Sequence, residues 1–154
     1  MNQLVGVISD THGLLRSSAM NILKTCDLIL HAGDICGQEI IDELQALQQT
    51  VFVRGNMDRF PSGGAIHSTA SLEIAGVHFF MLHDVSQLDL DPKAAGIDVV
   101  IYGHSHSPDI SYRDDVLFLN PGSIGPKRFS LPISMAVIRV ENQVLHPELI
   151  TLDD

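Results

Sequence analysis

Asp98-Val99-Val100-Ile101-Tyr102-Gly103-His104-Ser105-His106 is the stretch on which the reading of this chain turns. Through Tyr102 it is short, apolar and β-branched, which predicts a buried strand. Ser107 and Pro108 beyond it keep the chain out of a helix. Two imidazoles one residue apart therefore sit on a loop at a strand end. Taken alone, an H-x-H pair is more often a pair of solvated loop histidines than a ligand pair. The reading changes because the chain repeats the arrangement four more times.

Leu4 to Ile8 is a strand pattern ending at Asp10 and His12, and Asp27 to Leu30 is one ending at Asp34. Val51 to Val53 ends at Asn56, and Val77 to Leu82 ends at His83. A helix N-capped by Ser17 or Ser18 and reaching about Cys26 is expected after the first strand. Ile40, Ile41, Leu44 and Leu47 at helical spacing place an amphipathic helix over Gln38 to Gln49. The resulting β-α-β-α-β run predicts a parallel sheet with right-handed crossovers. Ser71 to Ile74 joins the strand from Val77 through an Ala75-Gly76 turn, and a short helix is expected after Asp91-Pro92, ending near Gly96. Beyond Tyr102 the pattern reads as antiparallel: Ile110 to Arg113 with Val116 to Leu119, then Ile133 to Val140 with Val144 to Ile150. No repeat or linker interrupts the chain, so residues 1–154 are expected to form a single α/β domain.

Ligands of open α/β sheets bind at the carboxyl ends of the strands, so these scattered residues can converge. Gly33, Gly55 and Gly103 immediately precede Asp34, Asn56 and His104, where a sharp turn or close backbone approach excludes a Cβ. The inventory is two carboxylates, four imidazoles and one carboxamide oxygen. One four-coordinate ion cannot use seven such groups. Two ions sharing a carboxylate use them all, with positions left for water and substrate. Oxygen and nitrogen donors without thiolate favour manganese, iron, zinc, nickel or magnesium, manganese first. Paired ions suit the hydrolysis of a phosphate ester: they activate a water for in-line attack and neutralise charge on the phosphoryl oxygens.

The balance of 19 acidic against nine basic residues, a formal charge of −10, argues against a nucleic-acid surface, which is held largely by phosphate neutralisation. It also means that attraction for a phosphate ester must come from a local concentration of positive charge, which bound metal ions supply. No apolar run is long enough to span a bilayer, and the N-terminus lacks a signal-peptide pattern, so no membrane association is expected. Cys26 and Cys36, without C-x-x-C spacing, fit buried thiols in a reducing cytoplasm. Homo-oligomerisation is left open.

D-x-H, G-D, G-N-x-D, H and G-H-x-H, in that order, resemble the motif series of the calcineurin-like metallophosphoesterases. The chain looks most like their small, cap-less bacterial and archaeal phosphodiesterase branch, whose N-P-G-S segment recurs at Asn120 to Ser123. The resemblance implies a four-layer α/β/β/α sandwich and a binuclear phosphodiesterase acting on small phosphate esters. It also implies a ligand partition. Asp10, His12, Asp34 and His106 would hold one ion, with Asp34 bridging to a second held by Asn56, His83 and His104. Asp34, Asn56 and His104 would thereby act on the reacting water, with Asp58 behind them. The sequence departs from the family at Met57, where many relatives carry histidine, the usual partner of Asp58, and at Asp84, usually glycine. The alternative is a non-catalytic metal-binding interaction scaffold, like the retromer subunit of the same superfamily.

The remaining polar residues have plainer readings. His31 is expected as a partly buried strand-end residue, and His67, His78 and His146 as surface or sheet-face residues. Arg54, Lys127 and Arg128 are candidates to meet a substrate phosphate and equally fit solvated loop charges. Phe60-Pro61 is either an apolar wall or simple packing. Asn120 to Ser123 is expected to form a turn backing the ligand loops.

Overall fold

The computed structural model describes residues 2–59 and 66–152. Phe60-Pro61 lies outside the described residues. In the first sheet β1 (Asn2–Ile8), β2 (Leu28–His31) and β3 (Thr50–Phe52) pair in parallel, with α1 (Ser17–Leu23) and α2 (Gln38–Leu47) as crossovers. In the second sheet β4 (Thr69–Ile74) pairs antiparallel with β5 (Val77–Leu82). There β6 (Val99–Ile101) lies parallel to both β5 and β8 (Val116–Asn120), and β7 (Asp109–Arg113) closes the edge antiparallel to β8. The chain then returns to the first sheet through β9 (Ser134–Glu141), antiparallel to β1, and β10 (Val144–Thr151). The sheet orders are β10-β9-β1-β2-β3 and β4-β5-β6-β8-β7.

Strand alternation explains why the sheets stack. Val5 and Val7 of β1, Phe79 and Met81 of β5, Val99 and Ile101 of β6, and Leu117 and Leu119 of β8 all join one buried cluster between the sheets. The opposite face of the first sheet packs Ile8 and Ile29 against Leu23, Ile40 and Leu44 of the helices. The opposite face of the second sheet carries Phe80, Leu82, Val100, Tyr102 and Phe118, packed against Val85, Leu88, Leu90 and Ile97. Four layers result, as the α/β/β/α expectation requires.

Several expectations differ in detail from what is observed. Ser17 begins α1 as its first helical residue rather than its cap; the cap is Arg16, without a side-chain cap bond. The Arg16 guanidinium instead donates to the carbonyls of Ile124 and Gly125 at 2.8 and 3.0 Å, tying α1 to a loop more than a hundred residues away. The helix expected after Asp91-Pro92 is a short set of turns, with Ala95 N–H on the Asp91 carbonyl and Ile97 N–H on that of Pro92. A 3-10 turn at Val85–Gln87 precedes it, so on this side the outer layer is loop and turn. Beyond Tyr102 the expected antiparallel pairs are present, β7 with β8 and β9 with β10, and β6 adds a parallel pairing to β8. Among the described residues no helix is long and apolar enough to cross a membrane.

Because the inter-sheet core is continuous, truncating Phe79, which is essentially unexposed, leaves a cavity both sheets border. Phe79→Ala is expected to cost about 3–5 kcal/mol in denaturant-induced unfolding; a loss below about 1 kcal/mol would place the shared core elsewhere.

Candidate metal centre

The carboxyl ends of β1, β2, β3, β5 and β6 open on one edge, and their loops are cross-tied by backbone hydrogen bonds. Asp10 N–H donates to the Gly33 carbonyl at 2.9 Å, His12 N–H to that of Asp34 at 3.0 Å, and Gly103 N–H to that of His83 at 2.9 Å. A Cβ on Gly55 would run into Asp34 Oδ1, and one on Gly103 into Ser9 Oγ, so these glycines admit a carboxylate and a hydroxyl against the backbone. Asp10, His12, Asp34, His104 and His106 all hold left-handed backbone conformations, with φ from 46° to 74°. Such geometry costs an isolated residue on the order of 1 kcal/mol, so the surrounding hydrogen bonds over-determine it.

The two buried aspartates divide their oxygens in the same way. Asp10 Oδ2 accepts from Ser9 Oγ at 2.7 Å and from His104 N–H at 3.1 Å. Its Oδ1 has no hydrogen-bond partner and lies 3.5, 3.7 and 3.8 Å from Nε2 of His106, His12 and His83. Asp34 Oδ1 accepts from Met57 N–H at 2.8 Å, while its Oδ2 faces His83 Nε2 at 3.3 Å and His12 Nε2 at 3.6 Å. One oxygen of each carboxylate serves the fold, and the other points at imidazoles.

Those imidazoles stand in two pairs. His12 and His106 stack at 5.2 Å between ring centroids, and His83 and His104 meet edge-on at 5.1 Å. Asp10, His12 and His106 form one compact donor group, and Asp10, Asp34 and His83 a second. Asp10 is thus common to both, while Asp34 Oδ2 also reaches an imidazole on each side. Asn56 is exposed and lines a cleft of about 580 Å³ together with His83, His104, Asp84 and Arg54.

The chemistry of this donor set fits divalent cations. Buried Asp10 Oδ1 and His12 Nε2 both lack hydrogen-bond partners, a costly arrangement that a cation would relieve. His83 Nδ1–H donates to the Ala32 carbonyl at 2.8 Å, which aims the Nε2 lone pair at the carboxylates. Burial by itself would raise the Asp10 and Asp34 pKa values, but the imidazoles and hydrogen-bond donors around them outweigh it and hold both below the ordinary value of 3.8. Burial would depress His83, but Asp34 and Asp10 outweigh it and raise its pKa. Cys36 Sγ lies behind His12, 3.7 Å from Nδ1, and burial with the nearby Asp58, Asp34 and Asp10 charges pushes its pKa to about 11, so it remains a thiol.

Other residues act on the loops. Asp58 accepts from the backbone N–H groups of Gly55 (2.8 Å), Asp34 (3.0 Å), Ile35 (2.7 Å) and Cys36 (2.9 Å). The sequence offered a histidine partner as its usual role; the structure makes it the anchor of the Asp34 loop. Asn120 Nδ2 donates to the Gly103 carbonyl at 3.2 Å and Ser123 Oγ to that of Asp10 at 2.9 Å, so Asn120–Ser123 backs the ligand loops as expected. Asp84 Oδ2 lies 3.9 Å from His104 Nε2, a contact the sequence did not signal. Arg54 borders the cleft, whereas Lys127 and Arg128 are exposed on a loop from which the Arg128 charge reaches His106. His67, His78 and His146 are exposed.

His31 is completely buried rather than partly so. Thr11 Oγ1 gives its proton to the Ile35 carbonyl at 2.9 Å, so His31 Nε2–H must be the donor in the 3.0 Å contact with that hydroxyl. His31 Nδ1 accepts from Gly33 N–H at 3.1 Å. One neutral imidazole therefore pins the Asp10 and Asp34 loops together, and burial pushes its pKa from 6.5 to about 3. Between those values the unfolded chain binds a proton the folded one refuses, so stability falls as pH drops from 6.5 towards 3 and is unaffected by this group above 6.5. The stability advantage of wild type over His31→Gln should shrink across that window, by up to about 1.4 kcal/mol per pH unit. A constant difference in metal-free denaturation curves would remove His31 as the source.

Comparison with known proteins agrees with this geometry. A model of the calcineurin-like phosphoesterase superfamily domain matches residues 4–143. A protein of Methanothermobacter thermautotrophicus, described as a probable metallophosphoesterase, is 36% identical over 159 residues, covering 96% of this chain and 91% of the relative. Among solved structures, an archaeal phosphodiesterase superposes with a TM-score of 0.79 at 26% identity, covering 96% of this chain and 99% of its own. Vacuolar protein sorting 29 of Cryptosporidium parvum shares the fold, with a TM-score of 0.78 at 19% identity and 99% coverage of both chains. Donors gathered from successive strand ends and a match running from β1 to the β9–β10 turn lead to one family: the chain belongs to the calcineurin-like phosphoesterase superfamily.

Proposed function

We propose that residues 1–154 act as a single binuclear-metal-dependent phosphodiesterase domain on small phosphodiesters in the cytoplasm, with manganese as the leading metal. The observation that carries the reading is the shared orientation of Asp10 and Asp34, whose fold-free oxygens are directed at imidazoles on two sides. Asp10, His12, Asp34 and His106 would hold one ion; Asp34, Asn56, His83 and His104 would hold the other. When bound, two divalent ions supply an acidified water and positive charge for the phosphoryl oxygens. An anionic ester would otherwise meet a chain of net charge −10.

The protein's own groups set the rest of the chemistry. Asp34 and Asp10 would neutralise bound ions, and the buried hydrogen bonds behind them hold the carboxylates in place. Arg54 at the cleft is the candidate to orient the ester, with Lys127 and Arg128 further out. No protonated side chain is evident at position 57. Met57, a residue 52% exposed, holds Asp34 Oδ1 with its backbone N–H, while its thioether has no proton to give. Asp58 is committed to four backbone N–H groups. Burial would raise the Asp84 pKa, but its two Ser86 hydrogen bonds and the neighbouring His104 and His83 together outweigh it and lower the pKa, so Asp84 is a carboxylate at neutral pH. A non-catalytic metal-binding scaffold is the second reading, favoured by Met57 and by the fold shared with vacuolar protein sorting 29.

Elemental analysis after reconstitution with manganese should find two ions per chain, and Asp34→Asn should lower both metal content and hydrolysis of an activated aryl phosphodiester. One ion or none in the wild type would sink the binuclear reading; two ions without hydrolysis would favour the scaffold.

Positioned acid catalysis is worth roughly 10²–10⁴-fold, so without a donor at position 57 log kcat/KM should fall steeply with leaving-group pKa. Met57→His, beside Asp58, should flatten that line by accelerating poor leaving groups. A flat wild-type line would mean that a proton donor is already present.

A further inference from the structure

Each imidazole of the centre turns one nitrogen inward and one outward, and the outward partners differ. His83 Nδ1 meets the Ala32 carbonyl at 2.8 Å, and His12 Nδ1 meets Cys36 Sγ at 3.7 Å. The His106 outer nitrogen, Nδ1, is buried without a hydrogen-bond partner. His104 is the most exposed of the four, its side chain 47% accessible, so packing does little to orient it. Its Nδ1 faces inward, 3.3 Å from His83 Nε2, and its Nε2 faces Asp84 Oδ2 at 3.9 Å.

Asp84 is itself held firmly. It directly follows His83 and caps the 3-10 turn Val85–Gln87. Its Oδ1 accepts from Ser86 N–H at 3.0 Å and from Ser86 Oγ at 2.8 Å, and the Asp84 carbonyl accepts from Gln87 N–H at 3.0 Å. Both side-chain bonds fall on the same oxygen, which leaves Oδ2 for His104. At 3.9 Å the contact is electrostatic rather than a hydrogen bond.

Resting on the metal-centre reading above, we infer that Asp84 is a positioning residue for His104, a fixed carboxylate behind the imidazole that orients the ring and strengthens its inner nitrogen as a ligand. The charge of Asp84 favours the tautomer in which the outer nitrogen carries the proton, which leaves the inner one free to ligate and raises its basicity. A backbone carbonyl does this for buried His83. Exposed His104 has no comparable carbonyl contact among the described residues, and the anion at position 84 takes that place. The departure from glycine at this position thereby supports the centre.

The test is a double-mutant cycle read by manganese affinity, measured by competition with a chelating indicator at one fixed pH. Asp84→Ala should weaken one ion about 10- to 100-fold, the usual penalty for losing a partner behind a metal ligand. His104→Ala should weaken the same ion, and Asp84→Ala/His104→Ala should be no weaker than His104→Ala alone, because Asp84 acts only through that ring. Asp84→Asn, which keeps an acceptor oxygen, should recover part of the loss. Ser86→Ala, which loosens the carboxylate while retaining it, should give a smaller loss of the same kind. The melting temperature of metal-free Asp84→Ala should stay within a few degrees of wild type, separating this effect from unfolding.

Wild-type affinity in Asp84→Ala, an additive loss in the double variant, or a His104→Ala without effect would each overturn the inference while leaving the proposed function standing. A wild type that binds no manganese would overturn the proposed function and this inference with it. A wild type that binds a single ion would overturn only the binuclear count if the cycle is non-additive at that ion.

Discussion

A buried carboxylate that accepts four backbone N–H groups is the fastening on which the rest of the centre depends. Asp58 draws Gly55, Asp34, Ile35 and Cys36 around itself. A hydrogen bond to a charged acceptor is worth roughly 1.5–3 kcal/mol, and leaving a buried donor unsatisfied costs a similar amount. The loops after β2 and β3 are therefore locked to each other before any ligand is considered. The lock also aims Asp34: its backbone nitrogen is held by Asp58 and its Oδ1 by Met57 N–H, which leaves Oδ2 to face His12 and His83.

The same economy runs through the neighbouring loops. Ser9 and the His104 backbone occupy one oxygen of Asp10. His31 and Thr11 join the β1 and β2 loops, and Asn120 and Ser123 join the β6 and β1 loops from behind. These bonds stabilise five left-handed backbone conformations at candidate ligand positions. A strained backbone persists where the surroundings over-determine it, and here the surroundings are polar and buried. The result is a set of donors pre-arranged around a concentrated negative charge. That charge is unfavourable by itself and favourable once cations sit within it.

Departures from the family pattern then acquire different meanings. Met57 places a thioether, which has no proton to give, where many relatives carry histidine, while its backbone N–H still holds Asp34 Oδ1. Asp84 adds a carboxylate beside His104 and caps the turn that covers the second sheet. Neither change disturbs the buried anchors, which belong to other residues.

Much of this was legible in residue type and spacing. Strand alternation, glycines before ligand residues and a D-x-H, G-D, G-N, H, G-H-x-H series are local properties, and hydrophobic burial with Cβ exclusion makes them predictive. They located the strands, the edge of the site and its candidate ligands. Strand direction was not legible for β6: a three-residue apolar strand reads alike in both directions, and its parallel pairing with β8 was settled only by packing. The outer layer over the second sheet also escaped, because its turns are held by contacts with Phe80, Val100 and Phe118 rather than by helical periodicity. The long-range contacts of Asp58, His31 and Asp84 were decided by the tertiary structure alone. Their partners lie across the chain, as do Asp10 and the His104 backbone at 94 positions and Ser123 and the Asp10 carbonyl at 113. A hydrogen bond depends on distance and angle, and no one-dimensional spacing specifies which carboxylate meets which amide once the sheets have closed.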